Sequence, residues 1–213
     1  MRNKKISFAK ILSAFLLLLI VFTTCACKNS GAAAVSGTEL QTLRGQYPYA
    51  KKAELVAETS VKDIAAFNNK EFAAFVSVTI TGEPREETTS ASPAAGMAAV
   101  KTVTYYIPAH VDSVLFQSSL FGGQSDITLR IRGALDGENL GCYASGKKIV
   151  TMLTVPDAEL KAAAGEYFSA TSTSFYQAEN RILLAMSEQH PAINQYSGWT
   201  VDAFCQAVKG LFA

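Results

Sequence analysis

The spacing of apolar residues changes near Glu71 from a helical period to a period of two, and this change most limits the fold. In residues 72–81 the alternation is clearest at Val76, Val78 and Ile80. A two-residue repeat of β-branched and aromatic residues is typical of a strand with one buried face. The chain from this point is therefore predicted to be built mainly from strands.

Three later segments, 100–114, 127–132 and 148–155, are also predicted to be strands. In the second of them isoleucine and leucine alternate with polar residues, so Arg130 and Arg132 are predicted to face water. Pro108 lacks an N–H to donate and predicts a strand edge or a bulge.

The connections between these strands are read from their turn residues. Residues 85–96 are charged, then rich in Ser, Thr, Ala and Pro, and predict an exposed loop. Residues 167–173 and 175–186 predict a final hairpin.

Two helices flank the predicted strands. Residues 50–67 have partly helical spacing, whereas Thr200 is positioned to cap a C-terminal helix. That second helix has an apolar stripe formed by Val201, Phe204, Cys205, Val208, Leu211 and Phe212. The predicted class is therefore mainly β with flanking helices (α+β), and the specific expectation is a small antiparallel OB-like β-barrel, because closure removes exposed strand edges.

The first 26 residues predict an export signal. Four basic residues precede an apolar run at 11–22, which ends in small residues and two cysteines, Cys25 and Cys27. The apolar stretch is shorter than the roughly 20 residues that a spanning helix needs. The stretch 23–27 (TTCAC) resembles the lipobox of bacterial lipoproteins, common in Gram-positive bacteria, in which a diacylglyceryl group is attached to a cysteine that becomes the mature N-terminus. Ala26 favours Cys27 as that residue; Cys25 is the alternative, and a secretory cut without lipid is the other reading.

Three regions follow from these signals: a signal peptide at 1–26, a lipid-anchored flexible tether at 27–46 and a single globular domain at 47–213. The tether is predicted from its small and polar residues, which bury little surface. Without the signal, 15 basic residues stand against 18 acidic ones, a net charge of −3. This mild charge does not indicate a nucleic-acid surface. The predicted location is extracytoplasmic and anchored to the cell membrane, or to the outer membrane in a cell with two membranes.

The catalytic and ligand-binding motifs considered in this chain each lack a required residue. Residues 141–148 (GCYASGKK) approach a phosphate-binding loop but lack its final Ser or Thr and precede a strand, so a hairpin turn is predicted. His110 and His190 stand 80 positions apart without a third metal ligand, and no metal or cofactor is expected. Cys142 and Cys205 can be bridged or free.

Aromatic and basic residues provide the remaining candidates for a site. Arg130, Arg132, Tyr105 and Tyr143 form the predicted binding face, since tyrosine combines an apolar ring with a hydrogen-bonding tip. The alternative is an enzyme site in which Cys142 is a thiol nucleophile beside His110.

The strand and loop rhythm of residues 50–186, with a Gly-Cys before the strand that starts GKK, is similar to netrin/TIMP-like OB domains, whose mature chains also begin Cys-x-Cys. That resemblance implies an OB-like barrel. The inhibitors in this group bind a protease zinc through a free α-amino group, which N-acylation at Cys27 would block, so inhibition is not carried over. The function predicted is a non-enzymatic binding module for an envelope protein, peptide or glycan, with no nucleic-acid partner; the alternative is a small extracytoplasmic enzyme.

Overall fold

The segments of period two form one sheet in a computed structural model, which describes residues 34–51, 61–62, 71–92, 98–132, 139–155 and 165–212. The signal peptide, Cys25 and Cys27 lie outside these residues. The described strands are β1 (Phe72–Ile80), β2 (Arg85–Ala91), β3 (Val100–Gln117), β4 (Asp126–Arg132), β5 (Lys148–Thr154), β6 (Glu166–Phe168), β7 (Ser174–Gln177) and β8 (Leu183–Ala185). With helices α1 (Gly37–Gln46), α2 (Pro191–Asn194) and α3 (Val201–Phe212), they confirm the predicted mainly β, α+β class.

Five strands of this sheet close partly into a ring. β1 pairs with both β3 and β5, β3 pairs with β4, and β4 pairs with β6. The pairing that closes the ring is shortest between β5 and β6, where Thr154 and Phe168 are the one pair in register. The prediction of a purely antiparallel sheet is wrong at one junction, because β4 and β6 run parallel.

The long strand β3 is bent, and it pairs with three neighbouring strands. Its register against β1 shifts twice, leaving Leu115 and Asp112 without a partner residue on β1. Such bulges bend a strand and increase its twist. β3 therefore pairs with β2 along its first part, with β4 in its middle and with β1 along its last part.

Pro108 lies inside β3, where the sequence predicted an edge or a bulge. It is in register with Thr128 of β4, and its carbonyl accepts a hydrogen bond from Thr81 N at 2.9 Å. The N–H and C=O of one strand residue point to the same neighbour, so the missing N–H faces the point just beyond Ile80, where β1 ends. Proline is tolerated there because it breaks no bond to β4.

Two of the predicted connections are wrong. Residues 85–91 are not a loop: they form β2, in seven-residue register with β3. The last hairpin joins β7 to β8, whereas Tyr167 belongs to β6 beside β4. Both errors arise because strand pairing depends on contacts outside each segment. The segments are short, and none shows an alternation of polar and apolar residues that would mark it as a strand.

β1 is buried on both faces, between two apolar clusters. Val76, Val78 and Ile80 contribute to a cluster inside the ring. Phe75 contributes to a cluster outside it, where the Phe204 ring of α3 lies 5.6 Å from its ring. Burial on both sides explains why the β1 sequence is apolar almost without interruption.

The C-terminal helix confirms its prediction. Thr200 Oγ1 accepts a hydrogen bond from Ala203 N at 3.2 Å and so caps α3. Val201, Phe204 and Val208 on its apolar stripe are completely buried. Each fully buried side chain of this kind contributes about 1.5–3 kcal/mol, so α3 is an integral layer of the fold.

The prediction of a flexible tether at 27–46 is wrong for its second half, because residues 37–46 form α1. Ser36 accepts a hydrogen bond from Glu39 N at 3.2 Å and caps this helix. Arg44 then fixes it to the sheet by donating to Ala185 O at 2.8 Å and to Ser197 Oγ at 2.9 Å. The helix has no fully buried residue, so its sequence resembles a linker, although Leu40 and Leu43 pack against the cluster inside the ring beside the attachment by Arg44.

The described residues from Ala34 onward belong to one compact unit, which begins earlier than the predicted boundary at residue 47. Of the helix predicted at 50–67, the structure describes four residues. Ala50 and Lys51 are not helical, so the predicted start is wrong, whereas Val61 and Lys62 are helical and the Val61 side chain is buried. The rest of that prediction falls outside the described residues. In the described part of the chain, no helix is both long and apolar enough to cross a membrane.

Candidate functional site

The outer face of β4 carries the two arginines selected from the sequence. The inward residues Ile127, Leu129 and Ile131 are buried in the ring, as the alternation predicts. Arg130 and Arg132 stand on the opposite face. The registers of the neighbouring strands then decide which side chains lie beside them.

These registers assemble an arginine–aromatic row across β2, β3, β4 and β6. Arg85 is paired with Tyr106, Tyr106 with Arg130, and Arg130 with Phe168. With Arg132 as the fifth member, the guanidinium carbons lie over the rings at 4.3 Å (Arg85 to Tyr106), 5.3 Å (Arg130 to Tyr106), 4.8 Å (Arg130 to Phe168) and 5.3 Å (Arg132 to Phe168). The row alternates cation and ring over three interstrand steps, about 14 Å.

Arg130 is the central cation of this row, and it is not exposed as the sequence predicted. Its side chain is only 11% accessible, because it lies between the rings of Tyr106 and Phe168. Its Nη1 lies 3.5 Å from Glu166 Oε2, and its buried Nε has no hydrogen-bond partner among the described residues. A guanidinium has five donor hydrogens, so this one is held in place with most of them uncommitted.

The row carries three cations, and they already lie over its two ring faces, those of Tyr106 and Phe168. The edge of an aromatic ring is the positive part of its quadrupole. The N–H groups of arginine also lie at the edge of its plane. An anionic group is therefore favoured over a neutral sugar, which would need an open ring face for stacking.

The structure separates the four residues of the predicted binding face. Tyr105 is 4% accessible and Tyr143 is completely buried, and both belong to the cluster inside the ring. Tyr105 is paired with Ile131, so it points inward with that residue. Arg130 and Arg132 remain together on the outer face, with Tyr106 in the place predicted for Tyr105.

The sequence contained part of the signal for the true row. Tyr106 follows Tyr105 directly, and neighbouring strand residues point to opposite faces, so one of the two had to face outward. Phe168 carries no such signal, because it reaches Arg130 through a parallel pairing between segments that are distant in sequence.

The alternative enzyme site does not assemble from the described contacts. Cys142 is buried, its sulfur accepts a hydrogen bond from Tyr176 Oη at 2.7 Å, and burial raises the pKa of its thiol. His110 is exposed, with Nδ1 2.8 Å from Asp126 Oδ1. A thiol that resists ionisation is a poor nucleophile, and each group is held by a different partner.

Cys142 and Cys205 are both free thiols. Cys205 donates from Sγ to Leu115 O at 3.4 Å, beside the outer cluster, whereas Cys142 belongs to the cluster inside the ring. The open question of a bridge is therefore answered in favour of two reduced cysteines.

Residues 141–148 do not form a phosphate-binding loop, and the predicted hairpin turn is wrong, because the described strands on either side, β4 and β5, are not paired with each other. Gly146 N donates to Ile80 O at 2.8 Å, and Lys147 N donates to Ala144 O at 3.1 Å. Backbone N–H groups that are already bonded cannot cradle a phosphate. Within the described ranges, no three His, Cys, Asp or Glu side chains lie close enough together to hold a metal ion.

Comparison with protein-family models, curated proteins and solved structures finds no match for this chain. The resemblances to bacterial lipoproteins and to netrin/TIMP-like domains therefore stay predictions.

Proposed function

We propose that this protein is a lipid-anchored, extracytoplasmic binding module whose arginine–aromatic row binds an anionic polymer of the cell envelope. The observation that carries the proposal is Arg130, which two rings and one carboxylate hold in place while most of its donors stay uncommitted. A fixed cation loses little freedom on binding, and this favours affinity.

The form of the site supports binding of an extended ligand. The row is a surface of side chains on four strands, not an enclosed cavity. In OB folds the face of the second and third barrel strands binds oligonucleotides and oligosaccharides. Here β3 and β4 occupy those places in the ring, and the row lies on them. The proposed extracytoplasmic location favours an envelope polymer over nucleic acid.

The alternative of an enzyme at Cys142 and His110 has less support. The thiol is hydrogen-bonded to Tyr176, and the imidazole is beside Asp126. Neither group is placed to activate the other.

Binding is tested with the processed protein in phosphatidylcholine nanodiscs, on columns of dextran sulfate and of neutral dextran. We expect retention on dextran sulfate alone, eluting at a defined salt concentration, because salt screens such contacts. Arg130→Gln should elute at clearly lower salt. Lys209→Gln is the matched control, since Lys209 is an exposed cation in the last turn of α3 and does not belong to the row. Equal elution of wild type and Arg130→Gln, or equal retention on neutral dextran, would contradict the proposed site.

The anchor is tested separately. Cys27→Ala should block processing or release the protein from the membrane fraction, whereas Cys25→Ala should leave the anchored form intact. Mass spectrometry of the mature N-terminus identifies the modified residue. An unmodified N-terminus would remove the lipid from the proposal and leave the binding face as it stands.

A further inference from the structure

A cavity, separate from the arginine–aromatic row, lies where β5 begins and where β7 turns toward β8. It measures 610 Å³, within the range of small-molecule sites. The lining residues that matter are Tyr47, Lys147, Lys148, Glu179, Asn180 and Arg181. None of them belongs to the arginine–aromatic row.

This cleft has an excess of positive charge. Lys147 Nζ lies 5.4 Å from the centre of the Tyr47 ring, and the described residues place no carboxylate within 4.0 Å of Lys147 or Lys148. Arg181 is paired with Asp202 at 3.1 Å. Glu179 is the one carboxylate among the described lining residues, so the two lysines are available to an anion from solution.

The rim of the cleft is held in an unfavourable backbone conformation. Asn180 has φ 55° and ψ 22°, and Arg181 has φ 60°. Arg181 pays roughly 1–2 kcal/mol for this left-handed region, whereas asparagine adopts it more readily, and such strain concentrates at functional sites. The strained backbone of Arg181 at a cationic cleft supports a site shaped for a ligand.

A smaller, mainly apolar cavity of 340 Å³ adjoins the cationic cleft. Tyr47 and Lys147 line both cavities. The smaller one is also lined by Tyr49, Cys142 and Tyr176. Tyr47 and Tyr176 pack with their ring centres 5.6 Å apart. A cationic cleft and an apolar cavity therefore share one wall.

We propose that this pair of cavities binds a small amphipathic anion. Its carboxylate or phosphate group lies beside Lys147 and Lys148, and its apolar part contacts Tyr47 and enters the cavity lined by Cys142. A neutral amphiphile lacks the charge for the lysines, and a bare anion lacks the group for the apolar cavity. The ligand must carry both.

Cys142 provides a local readout, because its thiol lines the apolar cavity. In the processed Cys205→Ser protein in nanodiscs, the rate of Cys142 alkylation is measured by peptide mapping against increasing 4-phenylbutyrate. We expect 4-phenylbutyrate to protect Cys142, and 4-phenylbutanol and butyrate each to need about tenfold higher concentration, a loss of ~1.4 kcal/mol. Empty nanodiscs added in excess control for partition into lipid.

Variants separate the two parts of the site. Lys147→Gln should weaken protection by 4-phenylbutyrate about tenfold and leave the effect of 4-phenylbutanol unchanged, whereas Arg132→Gln, in the row, should change neither. Thermal melting checks that each variant is folded. Equal protection by the alcohol and the carboxylate, or none by either, overturns the proposal. Because dextran sulfate binding depends on Arg130, failure here and failure of the proposed function are distinguished by separate measurements.

Discussion

Tyr105 and Tyr106 are neighbours in β3, yet they belong to two different environments. Tyr105 points into the ring and is buried among apolar side chains. Tyr106 points outward and lies between the guanidinium groups of Arg85 and Arg130. The same residue type is therefore part of a core at one position and part of a charged surface at the next, and strand register alone decides which.

The two faces should respond differently to substitution. Inside the ring, closely packed atoms make any lost volume costly. On the outer face, solvent screens the charges, and loss of one side chain changes stability little. Stability should therefore report on the inner face, and ligand affinity on the outer one.

The largest effect is expected for Leu129→Ala. Leu129 is completely buried in the ring, and truncation of such a residue costs about 2–5 kcal/mol because a cavity remains. Urea unfolding measures this loss. The matched outer-face control, Arg132→Ala, should stay within about 0.5 kcal/mol of wild type. Similar losses in the two variants would remove the distinction between the faces.

A smaller loss of stability is expected at alkaline pH, and it should arise inside the ring. Burial raises the pKa of Cys142 above the ordinary thiol value of 9.0, and burial also raises the pKa of Tyr176. Above pH 9.0 the unfolded chain releases the thiol proton while the folded chain keeps it, so the free energy of unfolding decreases as pH rises.

Urea midpoints at pH 8 and pH 10 test this dependence. Cys142→Ala with Tyr176→Phe should reduce the alkaline decrease, whereas Arg132→Gln should leave it as in wild type. A decrease that is the same size in all three proteins would assign it to other groups.

A small effect on stability is expected for Glu166→Gln. Its effect on binding should be opposite to that of Arg130→Gln. Glu166 is the carboxylate beside Arg130, and it competes with an anionic ligand for that cation. Its removal should raise affinity for dextran sulfate about two- to fivefold, with less than about 1 kcal/mol change in stability. Weaker binding would mean that Glu166 positions Arg130 more than it competes for it. Asp202→Asn, which removes the exposed carboxylate beside Arg181 and away from the row, is the matched control.

Much of the fold follows from local patterns in the sequence. The period of two located β1 and β4, a continuous apolar run located β5, and the inward residues of β4 are those that the alternation selects. The cap at Thr200 and the apolar stripe of α3 were equally legible. Each of these signals depends on residues within one element, which is why sequence alone carries it.

The candidate site was only partly predictable, because it depends on which strands meet. Arg130 and Arg132 lie on the outer face that the alternation selects, but Tyr106 and not Tyr105 stands beside them, and the sequence did not indicate Phe168. The pairing of Arg130 with both rings comes from one antiparallel and one parallel register. A residue's own segment contains no information about the strand that will lie beside it.

Helix α1 was missed for a related reason. It lacks buried residues, so no apolar periodicity marks it. Its attachment comes from Leu40 and Leu43, which are only partly buried against the inner cluster, and from Arg44, whose acceptors are more than 140 positions away.

The start of the compact unit at Ala34 would limit how far a protein anchored through Cys27, as we propose, can extend from its membrane. From a lipid on Cys27 the chain has seven residue steps to Ala34, at most about 25 Å, whereas a tether running to residue 46 would have allowed about 65 Å. Under this proposal Ala34 is confined to the layer of the envelope next to the bilayer. Polymers that lie farther out would then have to come to the protein.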